Sequence, residues 1–173
     1  RMSDAGNLMP KPSSGVSFEE CQAGKVSCEW VCPESASPTA VVLYFHGGGY
    51  VMGDAVGHRN LSWRLARASG FRVLMVNYAL APENPFPAAL DDAIAAFDWL
   101  KSQGYAPENI ILGGDSAGGG LALATLLNLK NLGADLPAAA VLISPWVDLT
   151  LSGASYADNS ASDPMLTREV LKA

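Results

Sequence analysis

The sequence predicts an α/β fold, a three-layer α/β/α sandwich with helices on both faces of a mostly parallel sheet. Three observations carry this. Continuously apolar runs of strand length recur at 40–45, 73–76 and 138–143, and such runs suit strands covered on both faces. Stretches with apolar residues at helical spacing separate them. The chain is 173 residues long and 49% apolar, enough for one domain with a substantial core.

Taken in order, residues 1–15 hold two prolines, two glycines and four serine or asparagine residues. They read as a loose leader or the remnant of an N-terminal cap. Gly15 to Glu19 and Val26 to Trp30 partly alternate apolar and polar residues. They predict half-buried antiparallel strands joined near Gly24. Pro33 to Pro38 is expected as a loop. Ala40 to Phe45 is the first fully apolar strand. Leu61, Leu65 and Ala68 then mark a helix, followed by the strand Val73 to Val76. Leu90, Ala93, Ile94, Phe97 and Leu100 mark a second helix. Asn109 to Gly113 is a strand and Leu121 to Leu132 an apolar helix. Ala138 to Ile143 is apolar on both faces, so it should not be an exposed edge. Asp163-Pro164 predicts a helix start, with an N-cap followed by proline at the first helical position. Residues 151–173 form the approach to a cap or to an acid-bearing segment. The covered character of 138–143 and the unterminated apolar face at the end lead us to expect further polypeptide after Ala173.

The net charge is −6 with no Lys/Arg cluster, which argues against nucleic acid and anionic membrane surfaces as partners. No apolar stretch approaches membrane-spanning length and no signal peptide is visible. The three cysteines, Cys21, Cys28 and Cys32, read as free thiols in a reducing, cytoplasmic setting. On one strand, Cys28 and Cys32 would stand roughly 13 Å apart, beyond disulfide reach.

The chemistry concentrates in two motifs. Gly114-Asp115-Ser116-Ala117-Gly118 reads G-x-S-x-G between a strand and a helix. A serine on such a sharp turn has an exposed hydroxyl, which makes Ser116 a candidate nucleophile. Upstream, a strand ends in His46-Gly47-Gly48-Gly49. The amides of Gly47, Gly48 and Gly49, together with that of Ala117, are candidate oxyanion donors. Which of the three glycines point inward is left open. Loss of one such donor typically costs about 3 kcal/mol of transition-state stabilisation. A phosphate-cradle reading fails for both glycine runs: Gly113 to Gly120 contains no Lys-Ser/Thr pair, and Gly47 to Gly53 misses the G-x-G-x-x-G spacing.

A serine hydroxyl is a weak nucleophile without a base. The chain has two histidines, His46 and His58, both before Ser116. His46 is expected to shape the glycine loop through a ring hydrogen bond, and His58 to be a partly exposed surface residue. Asp148 stands where a triad acid could sit, but a loop-capping role is favoured. Asp115 is expected to hold the surroundings of the turn rather than act as an acid. No metal-ligand set and no cofactor motif stand out.

With these motifs in hand, the chain resembles the hormone-sensitive-lipase-like HGGG esterases of the α/β-hydrolase superfamily. His46 to Tyr50, Asn77 to Glu83, Phe86 to Ala89, Gly113 to Gly119 and Ser144 to Leu149 carry the likeness. The resemblance implies cofactor-free hydrolysis of short- to medium-chain carboxylic esters. Ser116 would be the nucleophile, the glycine loop and Ala117 the oxyanion donors, and Tyr78 to Ala89 scaffold beneath the site. It also implies that the acid and histidine follow the nucleophile, where nothing here matches them. We therefore expect the fold's C-terminal strands and helices to be lacking, and the base to come from beyond Ala173, in a C-terminal fragment or a second copy. Two alternatives stay open: a non-catalytic ligand-binding protein on the same scaffold, and an aryl formamidase-type hydrolase.

Overall fold

The computed structural model describes residues 15–172. The expected leader thus lies, apart from Gly15, outside the described residues. Strands β1 (Val16–Ala23) and β2 (Val26–Pro33) form an antiparallel hairpin. It turns at Gly24, which adopts a φ of 64°. Four further strands, β3 (Ser37–Phe45), β4 (Phe71–Val76), β5 (Ile110–Asp115) and β6 (Ala139–Ile143), complete one sheet in the order β1-β2-β4-β3-β5-β6. The last four are mutually parallel, and β2 joins them antiparallel to β4.

Helix α1 (Arg59–Ser69) packs on one face, over a cluster that includes Val31, Val42, Tyr44, Val73 and Met75. Helices α2 (Ala88–Ser102) and α3 (Ala117–Asn131) cover the other, over Leu43, Phe45, Leu74, Phe97 and Leu112. The three layers are those the apolar runs predict. Leu43, Tyr44 and Phe45 are consecutive and all buried, which requires cover on both faces of β3. Each such side chain contributes about 1.5–3 kcal/mol by leaving water.

This arrangement positions the two motifs. In the register of β3 against β5, Tyr44 pairs with Gly113 and Phe45 with Gly114. The chain leaves both strands at the same end of the sheet, so His46–Gly49 and Ser116 must be neighbours.

Among the described residues β6 is the last strand of the sheet: it pairs with β5, and Val141 and Ile143 are exposed. Ala140 and Leu142 pack against the α2/α3 side, and α1 sits over β2 and β4. Two expectations need correction. Asp163-Pro164 does not open a helix. The Asp163 carboxylate accepts the amides of Met165 and Leu166 in a turn, and the terminal helix α5 (Arg168–Lys172) begins later. The Thr167 hydroxyl accepts the Val170 amide there, as a capping side chain does. Pro38 belongs to the start of β3 rather than to a loop, because Ser37 already pairs with Phe71 ahead of a bulge. A short helix α4 (Ser155–Asp158) lies between β6 and α5.

Candidate active site

Ser116 sits between β5 and α3 with φ 52° and ψ −120°. A non-glycine residue there is strained by about 1–3 kcal/mol, so its surroundings must hold it. They do so through its backbone. The Ser116 amide donates to Ile143 at 2.9 Å, and its carbonyl accepts from Gly120 at 3.1 Å and Trp146 at 2.8 Å. Close approach does the rest. A Cβ on Gly118 would collide with the Phe45 carbonyl, so only glycine lets α3 start this close to β3. As the first residue of α3, Ala117 has an amide with no intrahelical partner.

The glycine loop is a tight turn, with Val51 and Met52 amides both donating to the Gly48 carbonyl. Gly48 has a φ of 130°, and a Cβ there would strike the Met52 carbonyl. The Gly47 amide donates to Asp115 Oδ1 at 3.0 Å. Of the three candidate donors, Gly47 is therefore already committed within the protein. The amides of Gly48 and Gly49 make no hydrogen bond among the described residues.

Asp115 is the hub. Its Oδ1 also accepts the Tyr44 hydroxyl at 3.1 Å, and its Oδ2 faces His58 Nε2 at 3.8 Å, an ion-pair rather than a hydrogen-bond distance. Burial pushes the Asp115 carboxyl up, but His58, Tyr44 and the Gly47 amide outweigh it and hold it below the usual range. The Asp115 carboxylate in turn raises His58 against the opposing effect of burial. The Tyr44 hydroxyl is pushed up by burial and by the neighbouring carboxylate. His58 is partly exposed as expected, with 23% of its side chain exposed, but it has partners the sequence did not reveal: Nδ1–H donates to the Asp54 carbonyl at 3.1 Å, which turns Nε2 toward Asp115. The next residue anchors the start of α1: Arg59 Nε donates to buried Glu29 on β2 at 3.0 Å.

His46 behaves as expected of a loop-shaping residue. It is fully buried, stacks on Tyr78 at 4.3 Å, and donates from Nδ1 to the Gly47 carbonyl at 2.8 Å. Burial pushes its pKa down, which favours the neutral ring. The Tyr78 hydroxyl donates to the His46 carbonyl at 2.6 Å, and the Ala81 amide to Tyr50 at 2.9 Å. Tyr78 and Ala81 therefore brace the loop. Neither imidazole hydrogen-bonds Ser116 among the described residues: His46 is held through Nδ1, its buried Nε2 having no partner there, and His58 through Nδ1 with Nε2 facing Asp115.

Asp148 caps its own loop. Oδ1 accepts the Thr150 amide and hydroxyl, and Oδ2 those of Ser152. These four bonds hold it far below the ordinary carboxylate range. The three cysteines are unbridged, and burial pushes Cys28 up to about 12. Among the described residues no cluster of three or more metal-ligating side chains occurs, and no helix is long and apolar enough to cross a membrane.

The arrangement matches known proteins. A family model described as alpha/beta hydrolase fold matches residues 42–173. An acetyl-hydrolase of Streptomyces hygroscopicus is 45% identical over 161 residues, 93% of this chain and 52% of the relative. An esterase of Acinetobacter venetianus is 40% identical over 96% of this chain and 51% of its own length. The crystal structure of an esterase from the bacterial hormone-sensitive lipase family superposes with a TM-score of 0.91 at 44% identity, covering 96% of this chain and 56% of that one. The chain spans about half the length of the curated relatives it matches. It belongs to the α/β-hydrolase fold family, within the bacterial hormone-sensitive-lipase-like branch.

Proposed function

We propose that this chain carries the nucleophile and oxyanion hole of a serine carboxylesterase acting on short- to medium-chain carboxylic esters. The observation that carries the reading is the meeting of Ser116, strained at the strand-to-helix turn, with the uncommitted amides of Gly48, Gly49 and Ala117. Ser116 Oγ attacks the ester carbonyl and gives up its proton to a base. The carbonyl oxygen takes the negative charge and rests on those amides. Collapse of the tetrahedral intermediate expels the alcohol, which takes the proton, and leaves an acyl-serine. Water, deprotonated by the same base, then releases the acid and restores the hydroxyl.

Gly47 leaves the donor set, because Asp115 holds its amide. The base is neither His46 nor His58, since neither imidazole hydrogen-bonds Ser116 among the described residues. It comes from polypeptide outside these residues, in the same protein or a partner fragment. The names of the relatives, acetyl-hydrolase and esterase, support the substrate class. The unbridged thiols fit a reducing, cytoplasmic setting.

The test is hydrolysis of p-nitrophenyl esters of increasing acyl length. The 173-residue chain alone should stay within ~10³–10⁴-fold of the reaction in water. A longer polypeptide containing it should turn over these esters, and Ser116→Ala should abolish that activity. Full activity in the Ser116→Ala variant of the longer protein would contradict the proposal.

A further inference from the structure

A cleft of about 600 Å³ lies at the opposite end of the sheet from Ser116. Thr39 and Arg72 line it from the starts of β3 and β4, and Asn109 from just before β5. Ser116 follows the far end of β5, and six residues of strand separate the two ends by roughly 20 Å. Trp30, Trp99 and Tyr105 form an aromatic wall, with ring centroids 6.1 and 6.5 Å from Trp30.

Among the described residues, Arg72 is the one charged side chain lining the cleft. Its guanidinium lies 3.9 Å over the Trp30 ring, and its Nε donates to Cys32 Sγ at 3.3 Å. No carboxylate stands within ion-pair distance of it among the described residues. By contrast, Arg59 and Lys101 both pair with acids. A guanidinium has five donors in a planar fork, and a thiol and the Tyr105 hydroxyl do not exhaust them. Stacking on Trp30 fixes its plane, so little order is lost when it binds a planar acceptor.

We propose that this cleft binds a small aromatic monocarboxylate. The carboxylate bridges the Arg72 fork, the ring lies against Trp99 and Tyr105, and Thr39 and Asn109 supply uncharged polar contacts at the rim. One cation suits one negative charge, and a phosphate ester would find no second. The protein's net charge of −6 gives no general attraction for anions, so selectivity rests on Arg72. The site is independent of the esterase reading.

The test is a titration of the 173-residue chain with sodium benzoate at constant ionic strength, followed by the indole N–H signals of its tryptophans. The Trp30 and Trp99 signals should move saturably, with a dissociation constant on the order of a millimolar. Trp63 and Trp146, which do not line the cleft, should stay still. Arg72→Gln should weaken binding about tenfold or more, as should replacing benzoate by benzyl alcohol. Gln103→Glu puts a negative charge on the exposed rim without touching the core, and should weaken binding about threefold or more. Ser116→Ala should leave it unchanged. Binding that survives both Arg72→Gln and Gln103→Glu, shifts confined to Trp146, or no saturable shift would overturn the proposal.

Discussion

Asp115 and Gly47, far apart in sequence, meet at 3.0 Å, with the carboxylate accepting the amide. This contact ties the strand-to-helix turn to the glycine loop. It decides which glycine amides remain for an oxyanion, because a donor already satisfied by a carboxylate is not free for substrate. The same carboxylate takes the Tyr44 hydroxyl from β3, the strand that leads into the glycine loop, and faces His58 from the start of α1.

Removing the hub should cost stability. Asp115→Ala leaves a buried Gly47 amide and the Tyr44 hydroxyl without partners, a loss of about 1–3 kcal/mol. Asp115→Asn keeps an acceptor oxygen and should cost less. Urea unfolding of both variants checks the order, and equal stabilities of wild type and Asp115→Ala would show that the contact anchors nothing.

The His58–Asp115 pair should leave a pH signature. His58 has a raised pKa when folded. It therefore binds its proton more tightly in the native state, and its contribution is full below the unfolded value near 6.5 and fades as pH rises through the folded one. Buried His46 is lowered and works the other way, costing stability as pH falls below 6.5. The two oppose each other in the wild type. The stability difference between wild type and His58→Gln isolates the first: it should shrink between pH 5.5 and pH 8.5. A difference that grew with pH would reverse the assignment.

Gly118→Ala should damage the turn directly. Its Cβ meets the Phe45 carbonyl, a backbone atom in the central strand that cannot step aside. Overpacking of this kind costs about 1–3 kcal/mol. Thermal unfolding should rank Gly118→Ala well below wild type, and a variant as stable as wild type would mean the approach of α3 to β3 is not tight.

Much of this was legible in the chain itself, for a physical reason. The strand Ala40–Phe45 and the helix around Leu90–Leu100 announce themselves because burial on two faces or one stripe imposes a local period. Ser116 and the glycine loop were legible because a sharp turn and a close backbone approach demand small residues in fixed order. The loop-capping role of Asp148 was readable too, because its partners lie within four residues. What depends on register was not. That Gly47 rather than Gly48 would be taken by Asp115, or that His58 would turn inward, follows from how β3 pairs with β5 and how Arg59 seats α1 on Glu29. No local pattern encodes those pairings.

The central claim is that Ser116 is the nucleophile and that neither imidazole of this chain activates it. The rate and site of labelling by a fluorophosphonate, read by peptide mass, tests both halves at once. A longer polypeptide that supplies the base should carry a single adduct on the Ser116 peptide, absent in Ser116→Ala, while the 173-residue chain alone should react at least ~10³-fold more slowly. An adduct on another residue, or rapid labelling of Ser116 in the chain alone, would contradict the account.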